Sequence, residues 1–136
     1  MKLKARVWII VAVFLTVLAG FAYKIARAKK AAVFAAATPY QRGWMLIEDK
    51  GCVACHQQSS GFRAPVLNNL LGRTVKLADG SEITADAAYI KESIIAPMTK
   101  VVAGYQPVMP NYQGQFTDEE MEALIAAMKP EANPAE

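Results

Sequence analysis

Cys52-Val53-Ala54-Cys55-His56 gathers the only two cysteines and the only histidine of this 136-residue chain into five consecutive positions. Two thiols one helical turn apart match the two vinyl groups on one edge of a porphyrin, and the adjacent imidazole then points at iron. The run therefore reads as the attachment site of one covalent haem c. Other uses of these residues fit less well. A structural zinc site needs four ligands, and the chain has no second pair of Cys or His. A thioredoxin-like dithiol belongs at a strand-to-helix junction, and no strand pattern precedes Cys52. A disulfide at this spacing is sterically awkward and leaves His56 without a role.

One imidazole leaves the opposite iron face to be filled, and without a second histidine the candidates are methionines. Met1 starts the chain, Met45 lies close to the attachment site, and Met121 and Met128 belong to the apolar stripe of a C-terminal helix, which leaves Met98 and Met109. Met109 is the favoured ligand, with Met98 as its substitute. Pro107 and Pro110 stiffen the run Gly104-Tyr105-Gln106-Pro107-Val108-Met109-Pro110, which lies 53 positions beyond His56 and just ahead of the last helix. Thioether ligation stabilises reduced iron and raises the potential, as suits an electron carrier. The ring nitrogen of His56 that faces away from iron needs an acceptor, and the carbonyl of Pro65 is the candidate, against the rival reading of an ordinary turn proline. Arg73, Tyr89 and Tyr105 are candidates to bind the haem propionates, each equally readable as a surface or core residue.

Ahead of the motif, Val7 to Tyr23 run without a charge or a proline. As a helix this stretch spans about 26 Å against a hydrocarbon core of about 30 Å. Snorkelling by Arg6 and Lys24, and interfacial placement of Trp8 and Tyr23, cover the shortfall. A cleaved signal peptide is the competing reading. The apolar run is longer than a typical signal core, and Ala35-Ala36-Ala37 lies well beyond its end, so a retained single-pass anchor is expected. Residues 1–37 carry seven basic side chains and no acidic one, whereas the rest carries eight basic and twelve acidic, so the net charge of +3 averages a basic anchor and an acidic body. An acidic body, made more so by two propionates, argues against nucleic acid and for docking on the basic face of a protein partner. The basic cluster Lys24, Arg27, Lys29 and Lys30 suits lipid phosphates or an acidic neighbour.

The expected layout is an anchor and stalk at 1–37, a haem domain at 38–130 and a frayed polar tail at 131–136. One helix is expected from near Lys4 to Ala37, stopped by Thr38-Pro39. A second covers Tyr40 to Lys50, where Gly43 suggests a close approach by another helix. Val75, Leu77 and Ile83 alternate around Asp79-Gly80 as a small β-hairpin. Asp86 or Thr84 caps a helix over Ala87 to Ile95, ended by Pro97. Thr117 to Glu120 form a capping box ahead of Met121, Leu124, Ile125 and Met128, an amphipathic helix stopped by Pro130.

In order along the chain, Gly43, Ile47, the Cys52 to His56 block, Pro65, Met109 and the Met121 to Met128 face make the segment from Tyr40 to Lys129 resemble class I cytochrome c. The resemblance implies a mainly α fold with crossed terminal helices, here with a small hairpin insertion and one preceding transmembrane helix. Ile47 stands where the family more usually has an aromatic. Leu77-Ala78-Asp79-Gly80-Ser81 and Val102 to Pro110 look like the cytochrome c domain fused to subunit II of haem-copper oxidases, without its copper-binding domain. They also look like the monohaem subunit of alternative complex III. What this implies is an electron carrier rather than an enzyme, working among subunits of a respiratory membrane complex. Because the family is matured outside the bacterial cytoplasm, Met1 is expected inside and the haem domain on the periplasmic side of the inner membrane. Two other roles remain as rivals: an independent tethered shuttle, and a haem sensor or peroxidase with an open iron site.

Overall fold

The computed structural model describes residues 2–57 and 63–130, with side chains from Val7 onward; the expected tail at 131–136 lies outside the described residues. The chain separates into two compact units, residues 1–36 and 37–136. The first unit is one helix, α1 (Lys2–Ala36), of 35 residues. No proline interrupts it, and at 1.5 Å per residue it is about 52 Å long. From Val7 to Ala36 it is long and apolar enough to cross a membrane, which makes it a candidate span or signal sequence.

The second unit is mainly helical. Thr38-Pro39 does more than stop a helix. Thr38 is the N-cap of α2 (Pro39–Asp49): its hydroxyl accepts from the Gln41 N–H at 3.3 Å, and the Gln41 side chain accepts from the Thr38 N–H at 3.0 Å. Pro39 occupies the first helical position, where a missing N–H costs nothing. A short 3-10 turn over Cys52–Ala54 follows. Strands β1 (Thr74–Lys76) and β2 (Glu82–Thr84) pair antiparallel with Val75 opposite Ile83. Helix α3 (Ala87–Ile95) is capped by Asp86, whose carboxylate accepts from the Tyr89 N–H at 2.8 Å. Helix α4 (Asp118–Ala127) starts on the Thr117–Glu120 capping box, and Met128 is its C-cap.

Helices α2 and α4 form the main packing contact of this unit, with α3 touching α4. Gly43 is buried at the crossing. A Cβ placed on it would lie 1.9 Å from the Ala123 carbonyl oxygen and 2.6 Å from the Ala127 Cβ. Both opposing residues are themselves small, so the two backbones approach to a distance no larger side chain permits. One turn along α2, Ile47 is wholly buried, so the position is filled without an aromatic. Leu46, Met121, Leu124 and Met128 complete this part of the core. The Arg42–Glu119 ion pair also joins the two helices, but Glu119 is 74% exposed, so packing rather than charge holds the crossing.

The hairpin has a structural use beyond its own two strands. Leu77 is buried and bridges Val102, the Ala78 N–H donates to the Val101 carbonyl at 2.8 Å, and the Ala103 N–H donates to the Lys76 carbonyl at 2.9 Å. These bonds fasten residues 101–103, the root of the loop that carries Met109. The turn itself is held by Asp79, whose carboxylate accepts from the Ser81 hydroxyl at 2.6 Å and N–H at 2.9 Å and is kept below its ordinary pKa by them.

Gly43→Ala is expected to destabilise the second unit by about 3 kcal/mol, the upper part of the range for overpacking. Helix propensity alone would give a gain of about 1 kcal/mol for the same exchange, so the sign of the change in a denaturant titration separates the two effects.

Candidate functional site

Gly51 follows α2 with φ 73°, a left-handed conformation that disfavours any residue with a Cβ. It turns the chain out of the helix and into the Cys52 to His56 run. The carbonyl oxygen of Cys52 then accepts from two N–H groups, those of Cys55 at 3.1 Å and His56 at 2.9 Å. This curl brings both free thiols and the imidazole onto one cleft, which all three line.

His56 Nδ1 lies 2.6 Å from the Pro65 carbonyl oxygen. A carbonyl can only accept, so Nδ1 carries the hydrogen and Nε2 keeps its lone pair. Burial pushes the imidazole below its ordinary pKa, with the bond to Pro65 opposing the shift. A neutral ring with an available Nε2 is the form that ligates a metal. Burial is also the largest cause acting on the Cys52 thiol, which is raised above its ordinary value.

The cleft encloses about 240 Å³. Its walls include Ile47 of α2, Leu67 and Leu70, Val75 of β1, Ile90 and Ile94 of α3, and Leu124 and Met128 at the end of α4. Met109 is half-buried among the lining residues, between exposed Pro107-Val108 and Pro110. Met98 is 53% exposed and does not line the cleft. Tyr89, 5% exposed on α3, and half-buried Tyr105 both line it. Arg73 does not. Its N–H donates to the Leu70 carbonyl and its own carbonyl accepts from Ala85, which keeps it at the base of the hairpin with an exposed side chain.

Several lining residues carry no motif. Arg63, Ser93, Lys100, Tyr112 and Phe116 all reach the cleft. Ser93 could have been found by phase, since it follows Tyr89 by one helical turn. Lys100 forms an ion pair with Glu92 of α3. Tyr112 is placed by its N–H, which donates to the Ile94 carbonyl at 3.2 Å; its ring lies tilted against Phe116 with centroids 5.8 Å apart, and burial raises its pKa above the ordinary value. Among the described residues, the charged side chains of the lining are Arg63 and Lys100, and no carboxylate lines the cleft itself. With three tyrosine hydroxyls, the polar groups suit an apolar guest that carries anionic acid groups.

The family model described as Cytochrome c matches residues 40–129, well over half of the chain. The chain belongs to the cytochrome c family. No curated protein matches it significantly. The prosthetic group of the family is covalent haem c, which supplies a one-electron iron couple when bound. The cytochrome c domain fits that group in three respects: two thiols beside an Nε2-available imidazole, an apolar cleft, and a lining that holds Arg63, three tyrosines and Lys100, the last shared with Glu92.

The cleft is open to water, but its lining is largely apolar and has no packing partners across it until it is filled. A Cys52→Ala, Cys55→Ala chain purified free of haem is therefore expected to lose cooperative thermal unfolding and near-ultraviolet circular dichroism. A transition as sharp and as high as that of the haem-bearing protein would show that the cleft needs no filling.

Proposed function

We propose that this cytochrome c is a membrane-anchored, single-haem electron carrier of a respiratory chain. In this reading Cys52 and Cys55 hold the porphyrin as thioethers, and His56 Nε2 and the Met109 sulfur are the axial ligands. Tyr89 and Tyr105 bind the propionates, with Arg63 and Lys100 in place of the more distant Arg73. No bond in a substrate is made or broken. What carries the reading is the presence, on one apolar cleft, of an imidazole oriented by Pro65 and a proline-flanked methionine from a loop rooted on the hairpin.

Helix α1 anchors the domain, with Met1 inside and the haem domain outside the cytoplasm. The carrier works as a resident subunit of a quinol-oxidising complex like alternative complex III, or of an oxidase-associated complex. Two short motifs support this, Leu77 to Ser81 and Val102 to Pro110, and the backbone bonds of Lys76 and Ala78, which bridge Leu77 to Val102, join one to the root of the other. The body's excess of carboxylates favours a basic docking face on the partner.

Met109→Ala is expected to abolish the weak near-infrared sulfur-to-iron band of the ferric protein and to lower its potential, while Met98→Ala leaves both unchanged. A wild-type spectrum without that band would instead favour a sensor or peroxidase with an open iron site. Stoichiometric co-purification with other redox subunits after mild detergent extraction is the expected result for a resident subunit. Loss of the protein from every complex at that step would make it a tethered shuttle.

A further inference from the structure

Lys100 reaches the cleft from a segment fixed on both sides. Before it the Thr99 N–H donates to the Ala96 carbonyl at 3.0 Å, and after it the Val101 carbonyl accepts from the Ala78 N–H of the hairpin at 2.8 Å. Pro97, Val101 and Val102 line the cleft beside it. From Ser93 to Thr117 the sequence has no other charged residue. An ammonium alone in such a wall would set a full positive charge against whatever the cleft holds.

Glu92 of α3 answers that charge. Its carboxylate pairs with Lys100 Nζ, and it stands just outside the lining. Both side chains are 33% exposed, whereas Glu119 and Asp118, the carboxylates of the ion pairs made on α4, are 74% and 100% exposed. Water and salt therefore screen the Glu92–Lys100 pair less than those two. The other charged groups around α3 have their own contacts. Lys91 faces Asp118 of α4 at 3.9 Å, and Asp86 caps the helix through the Tyr89 N–H. Across the lining stand Arg63 and the hydroxyls of Tyr89, Tyr105 and Tyr112.

We propose that Glu92 and Lys100 form a charge-compensated pair that sets the haem potential: Lys100 supplies N–H donors to an acid group of the haem, and Glu92 cancels its positive charge at the iron. This rests on the reading of the cleft as the haem site. A positive charge on the wall favours the reduced, less positive iron, and a negative charge favours the oxidised iron. With both present the two fields oppose each other, and removing either partner leaves the field of the other. The effect is Coulombic and acts across the wall, so neither side chain has to touch the iron or its axial ligands.

The test is an equilibrium redox titration of the full-length, haem-bearing protein and of its Glu92→Gln, Lys100→Gln, Lys100→Arg and doubly substituted Glu92→Gln, Lys100→Gln variants. Glu92→Gln removes the charge while keeping size and helix propensity. At fixed ambient potential it is expected to shift the oxidised-to-reduced ratio about threefold toward the reduced form, and Lys100→Gln about threefold toward the oxidised form, as for one unit charge across a partly solvated wall. The double variant and Lys100→Arg are expected to stay near wild type, and added salt to shrink both single shifts. If Glu92→Gln leaves the ratio unchanged, Lys100 answers to the haem's acid groups alone and the inference fails. If both single variants shift in the same direction, or the double variant shifts as far as either one, the pair acts through the fold rather than through its charges, and the inference fails again. In each of these cases the haem site itself stands. Intact mass showing no covalent haem on the wild-type chain would remove both the site and the inference.

Discussion

The crossing of α2 and α4 at Gly43 sets the dimensions of everything behind the Cys52 to His56 run. Because the backbones meet there with Ala123 and Ala127 opposite, the next turns of the two helices put Ile47 of α2 and Leu124 and Met128 of α4 into the lining of one cleft. A wider crossing would move the wall that the thiols and imidazole face. Ile47 shows how closely the space is filled, since it is wholly buried by packing alone. The constraint is steric, acts through backbone atoms, and has no side chain that could rearrange to relieve it.

Two sets of backbone bonds then turn a packed cleft into a chemically directed one. On one side, the Cys52 carbonyl curls the motif and the Pro65 carbonyl selects the tautomer of His56, so that a ring made neutral by burial presents Nε2. On the other, the hairpin ties down residues 101–103, from which the proline-flanked segment around Met109 departs. Neither set relies on charge. The orienting groups are main-chain carbonyls and N–H groups, which cannot titrate across the physiological range, so these orientations are insensitive to pH.

Charge is instead arranged at larger scale. The basic residues of the first unit and the excess carboxylates of the second have opposite tendencies, one toward phosphate-bearing surfaces and one toward basic protein faces. Among the described residues, the cleft lining has Arg63 and Lys100 as its charged side chains, with Lys100 paired to Glu92 just outside it. A guest bearing acid groups would be met by Arg63 and the tyrosines, and by Lys100 in exchange with Glu92, while the outer body keeps its excess of carboxylates.

Much of the fold was legible because it depends on short-range rules. The capping box at Thr117, the cap at Asp86, the Asp79-Gly80 turn and the unbroken α1 are local consequences of which residues follow one another, and so is the curl of Cys52 to His56. Gly43 was readable as a close approach, but its partners Ala123 and Ala127 were not, since they lie on the far end of the chain. The cleft lining divides in the same way. Tyr89 and Tyr105 reach it, whereas Arg73, equally plausible by residue type, is held at the hairpin base by its backbone bonds. Ser93, Lys100 and Tyr112 have no motif and enter only through the phase of α3 and the path of the loop that follows it. Residue order alone determined the covalent haem chemistry, the helices and the family, because thiol spacing, caps and periodicity act over a few positions. Which side chains share one cleft was decided only by tertiary structure, because it depends on how closely two distant helices can approach.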